Sequence, residues 1–514
     1  MGTLQPCERP PLTPPCKGGE CVWWVLPVVF WLLLNGNLHA DDPATRDIGS
    51  RLELLVDDYL IDKTIGVELK LHSPTAREVV LLHDQPWEGS GCGYHTVFQD
   101  GDIFRMYYTS ALLTNQDGTQ LPSRTSYSCY AESKDGIHWV KPELGLFEFK
   151  GSQKNNIIWE GTSAHDFSPY KDTNPNCAPD AKYKCVALGN GGLVSFKSAD
   201  ALHWSPLSEK PLITQGKFDT ENLAFWDNLR GHYWAYIRDF HNGIRDIRVS
   251  TSKDFATWTE PEILKFVDSP DEQLYTNQII PYYRAPHIFV GFPTRYTERP
   301  WSPAFKSLPD LPHRERRVKF SPRYGTAVTD GLFMSSRDGR TFKRWGEAFI
   351  RPGIERKDNW IYGDGYQNWG IIETKSDDEF SPQELSVFAV ENNWKDSCRL
   401  RRYTLRVDGF LSAQAPLKGG EFVTRPLTFT GKELVLNFST SGAGSIRVEI
   451  QDAAGKPLPG FALADCLEVF GDSLQRVVEW SGGADVSKLA KQPVRLKSIL
   501  KDADIYSLQF RDAK

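Results

Sequence analysis

An all-β fold, a five-bladed β-propeller followed by a C-terminal β-sandwich, is predicted by three observations. Four segments align without a gap: Ser133-Lys-Asp-Gly-Ile-His-Trp139, Ser198-Ala-Asp-Ala-Leu-His-Trp204, Ser252-Lys-Asp-Phe-Ala-Thr-Trp258 and Ser336-Arg-Asp-Gly-Arg-Thr-Phe342. Each is preceded by two strand-like apolar runs, so that a repeated antiparallel unit precedes every turn. From Gly419 onward the composition changes to short alternating strands separated by Gly and Pro turns.

Taken in order, the chain opens with a leader over residues 1–40. Its apolar stretch, Cys21 to Leu34, precedes an acidic start at Asp41. This is the pattern of an export signal, and the run is shorter than the ~20 residues a membrane helix needs. The mature protein is therefore expected to be exported, with no stable membrane span. The Pro-rich segment Pro10 to Pro15 fits neither a charged leader nor a domain, which places the expected translation start downstream of it. Asp41 to Ser50 reads as a linker, and Leu52 to Ile61 as a strand.

The ring of blades is expected over residues 50–415. The first four units pair Phe104–Tyr108 with Tyr127–Ala131, Tyr183–Ala187 with Gly192–Phe196, His232–Tyr236 with Ile247–Ser250, and His287–Phe292 with Gly331–Met334. In each turn the Ser and Asp side chains can bond backbone amides, Gly tolerates a left-handed conformation where present, and the closing aromatic plugs the gap between sheets. A fifth unit, Glu384–Val390 and Leu400–Leu405, ends in a degenerate Asp408-Gly-Phe410 turn. The fourth carries a long insertion, Tyr296 to Tyr324, rich in Pro and Arg, whose Arg314 to Arg317 cluster reads as a solvated loop. Residues 419–514 supply the sandwich, with a hairpin turn at Ala453–Lys456.

The 514 residues carry a formal charge of −6, which argues against a nucleic-acid partner. Six cysteines lie beyond the leader: Cys92, Cys129, Cys177, Cys185, Cys398 and Cys466. Cys177 and Cys185 are expected to be able to close a short disulfide loop, while Cys129 and Cys466 fit buried thiols. No Cys/His spacing indicates a metal, and no cofactor is expected.

The chemistry of a propeller sits where the innermost strands enter beside the central channel. Those entry segments hold Asp84, Trp87, Glu88 and Tyr94; then His165, Asp166, Asp172 and Asn174; then Asp219, Glu221, Asn222 and Trp226; then Tyr275 and Asn277; and finally Tyr362, Asp364, Tyr366 and Trp369. Recurring carboxylates suit glycosidic cleavage, which needs a protonated acid and a second carboxylate. Trp87, Tyr94, Trp226, Tyr275 and Trp369 can stack on sugar faces, and Asn174, Asn222 and Asn277 can bond hydroxyls. A carbohydrate is the expected partner.

Five blades, the repeated turn and the tail together resemble the clan of glycoside hydrolase families 32, 43 and 68. The resemblance spans roughly Ser50 to Phe510 and implies an acid from blade three, a stabilising Asp from blade two and a nucleophile or base from blade one. Phe-Asp219-Thr-Glu221-Asn stands where family 32 has its Glu-Cys segment, and Lys-Asp172-Thr-Asn-Pro where it has Arg-Asp-Pro. The Trp-Met-Asn-Asp-Pro-Asn-Gly motif is absent, leaving Asp58, Asp84 or Glu88 for blade one. Glu221 is preferred as acid, with Asp219 on the same side of the strand. Arg238, Arg245, Arg295 and Arg351 could clamp a sugar carboxylate, but internal ion pairs are the favoured reading. The function expected is an exported glycoside hydrolase; a phosphorylase or transferase, and a non-catalytic carbohydrate-binding propeller, are the alternatives.

Overall fold

The computed structural model describes residues 45–114, 120–357, 359–377, 382–395 and 398–513. The leader lies outside the described residues, and no helix among the described ones is long and apolar enough to cross a membrane. The chain from Ala44 to Lys514 packs as one compact, mostly β unit.

Five sheets of four or five strands, antiparallel but for one pairing in the fourth, follow one another along the chain, and a further sheet of three strands joins Gln273–Leu274, Thr294–Glu298 and Ala327–Gly331. The first orders Gly91–Asp100, Ile103–Thr114, Gln120–Ser133 and Ile157–Glu160, with Trp139–Val140 at its side. The second orders Ser168–Lys171, Tyr183–Gly189, Gly192–Ser198 and Ser205–Pro206, and the third Leu223–Asp227, His232–His241, Ile244–Ser252 and Glu262–Ile263. The fourth runs Ile280–Tyr282, Ala285–Gly291, Met334–Ser336 and Thr341–Arg344, with Lys265–Val267 pairing parallel to the last. In the fifth, Ile372–Thr374, Glu384–Glu391 and Arg399–Arg406 are completed by Thr75–Leu82, a strand from before the first sheet. That early strand covers an edge that would otherwise expose unpaired backbone groups.

The first strands of these sheets meet one another. The Val97 amide donates to the Trp369 carbonyl at 2.8 Å, and the Trp369 amide to the His95 carbonyl at 2.7 Å, joining the first sheet to the entry of the fifth. The Trp369 ring packs against Tyr170 of the second sheet and Phe225 of the third, and its Nε1 donates to the Ile279 carbonyl beside the fourth.

The repeated turns share one hydrogen-bond pattern. In the second copy Ser198 Oγ accepts the Ala201 amide at 2.9 Å, while Asp200 Oδ1 accepts the amides of Leu202 and His203 at 3.0 and 2.9 Å. The fourth position has positive φ in all four copies, including Ala201 (φ 74°) and Phe255 (φ 66°), where no glycine relieves the conformation. The closing aromatics pack on the preceding sheet: Trp139 meets Phe388, Trp204 meets Tyr107, and Phe342 meets Tyr236. Asp200→Ala removes acceptors for two amides and should lower stability by about 1 to 2 kcal/mol in urea denaturation, comparable to losing a helix cap. An unchanged midpoint would show that water replaces the carboxylate.

The tail differs from expectation in two ways. Glu433–Asp452 and Val494–Arg511 are long strands, each spanning two of the expected short ones, and they pair with a register shift between Thr440 and Ser445. All ten strands of this region form one hydrogen-bonded sheet. It takes in Arg46–Gly49, Glu53–Leu54, Ile61–Ile65 and Glu68–Leu71. The segment before Leu71 therefore pairs with the tail, and pairing within the five successive sheets begins at Thr75. The insertion also departs from a plain loop, holding helices Pro303–Lys306, Leu311–Val318 and Pro322–Thr326.

All six described cysteines are free. The expected Cys177–Cys185 bridge is not formed, because Cys185 is buried within a central strand of the second sheet while Cys177 sits 3.1 Å from Lys184 Nζ.

Candidate active site

Two cavities open where the first strands begin and end. The entry cavity, about 240 Å³, is lined by Gly91 to Tyr94, His165, Asp219, Tyr275, Tyr362 and Tyr366 from the five sheets' entry segments. The insertion adds Arg323 and Tyr324, and the loop after Glu384–Glu391 adds Asn393 and Trp394. The exit cavity, about 700 Å³ and largely apolar, is lined by the far ends of the same strands, including Phe98, Lys171, Trp226 and Trp369. Between them, Glu221 is tied to Gln278 and to Thr96 Oγ1 at 3.4 Å, and Thr96 bridges to Trp369.

Three carboxylates from the entry segments of the second and third sheets cluster behind the entry cavity, and of these Asp219 reaches its lining. Asp219 lines the cavity, is 65% exposed and pairs with the buried Arg238. Glu221, two residues on, is fully buried, and burial pushes its carboxyl well above the usual range. Asp166 is equally buried; both its oxygens accept the Leu188 amide at 3.0 Å, and Oδ2 accepts Asn222 Nδ2 at 3.1 Å. Its carboxyl is also held well above normal, by burial first and by the Asp219 charge as a lesser cause. The cluster is therefore one ion-paired carboxylate, Asp219, beside two buried carboxyls whose protonated form burial favours.

Aromatic rings line the opposite wall. Tyr94 stacks on Tyr366 with centroids 6.2 Å apart and meets the His165 ring edge-on, and Tyr362 donates to the Tyr275 hydroxyl at 2.8 Å. Tyr94 adopts φ 52°, a conformation a tyrosine rarely holds. Behind Gly363 and Asn393, the buried Asp364 carboxyl is pushed up to about 8.

The remaining sequence-selected residues lie elsewhere. Asp172 and Asn174 follow the second sheet's first strand and sit at its exit end: Asp172 is buried against Lys184 and the Tyr233 hydroxyl, to which Asn174 also donates. The blade-two carboxylate at the entry is Asp166 instead, which precedes the strand. Trp226 and Trp369 line the exit cavity. Trp87 packs on Phe149 and donates to Asn156, away from the entry cavity. Asn222 and Asn277 are buried and bond backbone groups, so they shape loops.

None of the blade-one candidates lines the entry cavity. Asp58 is exposed on the ten-stranded sheet, and Asp84 is exposed beside Lys141. Glu88 is fully buried, accepting from the Tyr108 hydroxyl at 2.6 Å and Lys141 Nζ at 2.7 Å. Of the arginines considered, Arg238 pairs with Asp219 and Arg295 with Asp330 and Glu272, none of them sequence neighbours, while Arg245 donates to Gln273 Oε1 at 2.9 Å.

No family model matches the chain. A 116-residue stretch, 23% of the chain, is 29% identical to an uncharacterized protein of Mycobacterium tuberculosis and spans 34% of that protein's length. The similar solved structures include several glycoside hydrolases and an N-acetylgalactosamine deacetylase from F. plautii, the last 11% identical with TM-score 0.38, covering 66% of this chain and 95% of that one. They include a family 43 arabinoxylan arabinofuranohydrolase from Bacillus subtilis, 13% identical with TM-score 0.38, covering 86% of this chain and 99% of that one. Another is the family 32 β-fructofuranosidase of Bombyx mori, 9% identical with TM-score 0.37, covering 87% and 95%.

Proposed function

We propose that the chain is an exported glycoside hydrolase, built as a five-bladed propeller with a C-terminal β-sandwich, that removes a terminal sugar at the entry cavity. The observation that carries this reading is the gathering of Asp166, Asp219 and Glu221 beside a tyrosine-rich cavity at the entry end of the first strands. Burial raises the Glu221 carboxyl and so favours its protonated form, the one required to protonate the leaving oxygen. Asp219 is the carboxylate that acts on the anomeric carbon or its water, kept in place by Arg238. Asp166 is a positioning residue that fixes the Phe218–Asn222 segment through Asn222. Tyr94 and Tyr366 offer ring faces for the sugar. A volume of about 240 Å³, closed beyond by the Glu221, Gln278 and Thr96 layer, suits one ring and so an exo-acting enzyme.

A panel of aryl glycosides tests the reading. At least one should be hydrolysed without added phosphate, and Asp219→Asn should lower the rate by roughly 100-fold or more. Failure to hydrolyse any glycoside, or full activity in the variant, would overturn it; strict dependence on phosphate would point to a phosphorylase. A second reading, a carbohydrate-binding protein without turnover, is favoured by the sealing of Glu221 and Asp166 from solvent. Sugar binding without turnover, unaltered in Asp219→Asn, is its signature.

A further inference from the structure

The insertion between Thr294–Glu298 and Ala327–Gly331 carries three guanidinium groups, Arg323 on the entry cavity wall with Arg314 and Arg317 buried behind its lining, and none of them forms a salt bridge among the described residues. Arg314 is fully buried and satisfied by the backbone carbonyls of Pro309, Asn359 and Trp360. Arg317, 2% exposed, donates one Nη2 bond to the Tyr362 carbonyl, while its Nε and Nη1 have no hydrogen-bond partner. Arg323 lines the cavity itself. Its guanidinium lies 4.8 Å from the Tyr324 ring centroid and 5.4 Å from that of Tyr362, and its Nη1, sealed from bulk water, is likewise unbonded.

The acids nearby do not neutralise this charge. Asp219 is engaged by Arg238 across the cavity. Asp364, the carboxyl that faces Arg317, is held neutral by burial up to a pH of about 8. Aromatic faces attract a guanidinium but carry no net charge, so the wall keeps an excess of positive charge in a site of low dielectric. Burying cations without a counter-ion is costly, and the cost falls when a bound anion completes the pair.

We infer that the cavity selects a sugar bearing an anionic substituent, a carboxylate or a sulfate ester, that is seated on Arg323 while the ring lies against Tyr94 and Tyr366. The inference rests on the carbohydrate reading of the cavity and extends it to a substrate class. A guanidinium fork presents two parallel donors, which match the two oxygens of a carboxylate or two of a sulfate. A neutral sugar of the same ring would leave the Arg323 charge without a counter-ion.

Isothermal titration of the full chain with D-glucuronate, D-galacturonate, the 6-sulfates of glucose and galactose, and the two neutral parent sugars tests the inference. At least one anionic sugar should bind roughly tenfold or more tightly than its neutral parent, as expected for charge-assisted hydrogen bonds. Arg323→Gln should erase that preference. Arg323→Lys, which keeps the charge but not the fork, should retain part of it and report on folding. Preference confined to uronates identifies a carboxylate, and preference confined to sulfates identifies an ester. Equal binding of neutral and anionic sugars, no binding by any of the six, or an unchanged preference in Arg323→Gln would overturn the inference. Because binding is read without turnover, a protein that prefers anionic sugars but cleaves no glycoside keeps this inference and loses the hydrolytic one. Cleavage of neutral glycosides alone does the reverse.

Discussion

Glu221→Gln is expected to lower glycoside turnover by about 10²- to 10⁴-fold, the range associated with losing a general acid, while leaving the folded protein intact. The amide has nearly the same shape, can still hydrogen-bond to Gln278 and Thr96, and cannot supply a proton. Folding should even gain at neutral pH. Burial raises the carboxyl above its ordinary value of 4.5, so the folded chain holds this proton over a pH range where the unfolded chain has released it. The group's contribution is therefore fully present below about pH 4.5 and is lost as pH rises toward the folded value. The slope from one such group is at most about 1.4 kcal/mol per pH unit. Asp166 and Asp364 act in the same direction, so the variant should show a flatter, not a flat, decline. Urea titrations between about pH 5 and pH 8 measure this. Identical slopes in the two proteins would mean that Glu221 is ionised in the folded state, and its role as proton donor would fall.

Glu88→Ala should be among the most destabilising single changes in the molecule, by about 3 to 5 kcal/mol, the cost associated with breaking a buried ion pair. Glu88 is sealed within the first sheet's entry, where it accepts from Tyr108, Lys141 and the Gln85 amide at 2.6, 2.7 and 2.9 Å. Burial taken alone would raise its carboxyl, but His83 and Lys141 together outweigh it and hold the group at about 2. Because the folded value lies below 4.5, this stabilisation is present above about pH 4.5 and disappears as pH falls toward 2. Chemical denaturation at several acidic pH values measures both the loss and its pH dependence. The fraction that stays folded should retain its rate per molecule, since Glu88 does not line the entry cavity. A well-folded but inactive Glu88→Ala protein would return this residue to the chemistry.

The elements most legible in the sequence are those specified locally. The Ser and Asp of each turn find their partners within three residues, so the repeat reveals itself without any knowledge of the fold. The strands before those turns follow from the same register. Long-range pairing left no such mark: Thr75–Leu82 joins a strand more than 300 residues away, and nothing in its composition points there. The choice of Asp172 over Asp166 had a related cause. Both flank Ser168–Lys171, and only the path of the strand decides that Asp166 is at the entry and Asp172 at the exit.

The arginines of the insertion were misread for a different reason. Charged residues usually face solvent, yet Arg314 and Arg317 are buried because backbone carbonyls and aromatic faces receive them. A run of basic residues does not reveal that those acceptors will be supplied by Asn359 to Tyr362. The tyrosines of the cavity wall, Tyr362 and Tyr366, are visible as a cluster, but the partnership of Tyr362 with Arg317 and Arg323 depends on how the helices fold over it.

The pairing of Thr75–Leu82 with Arg399–Arg406 bears on how the chain is made. A ribosome releases the early strand first and its mate only after more than 300 further residues, so the nascent protein must keep an apolar edge unmatched through most of its synthesis. The first four of the five successive sheets can assemble as they emerge, since their strands are nearer neighbours in sequence. The last sheet waits for translation to reach its third strand, and the ten-stranded sheet waits longer still, for Val494–Arg511 to reach Glu53–Leu54, so the newborn molecule stops being vulnerable to association with other copies only after both.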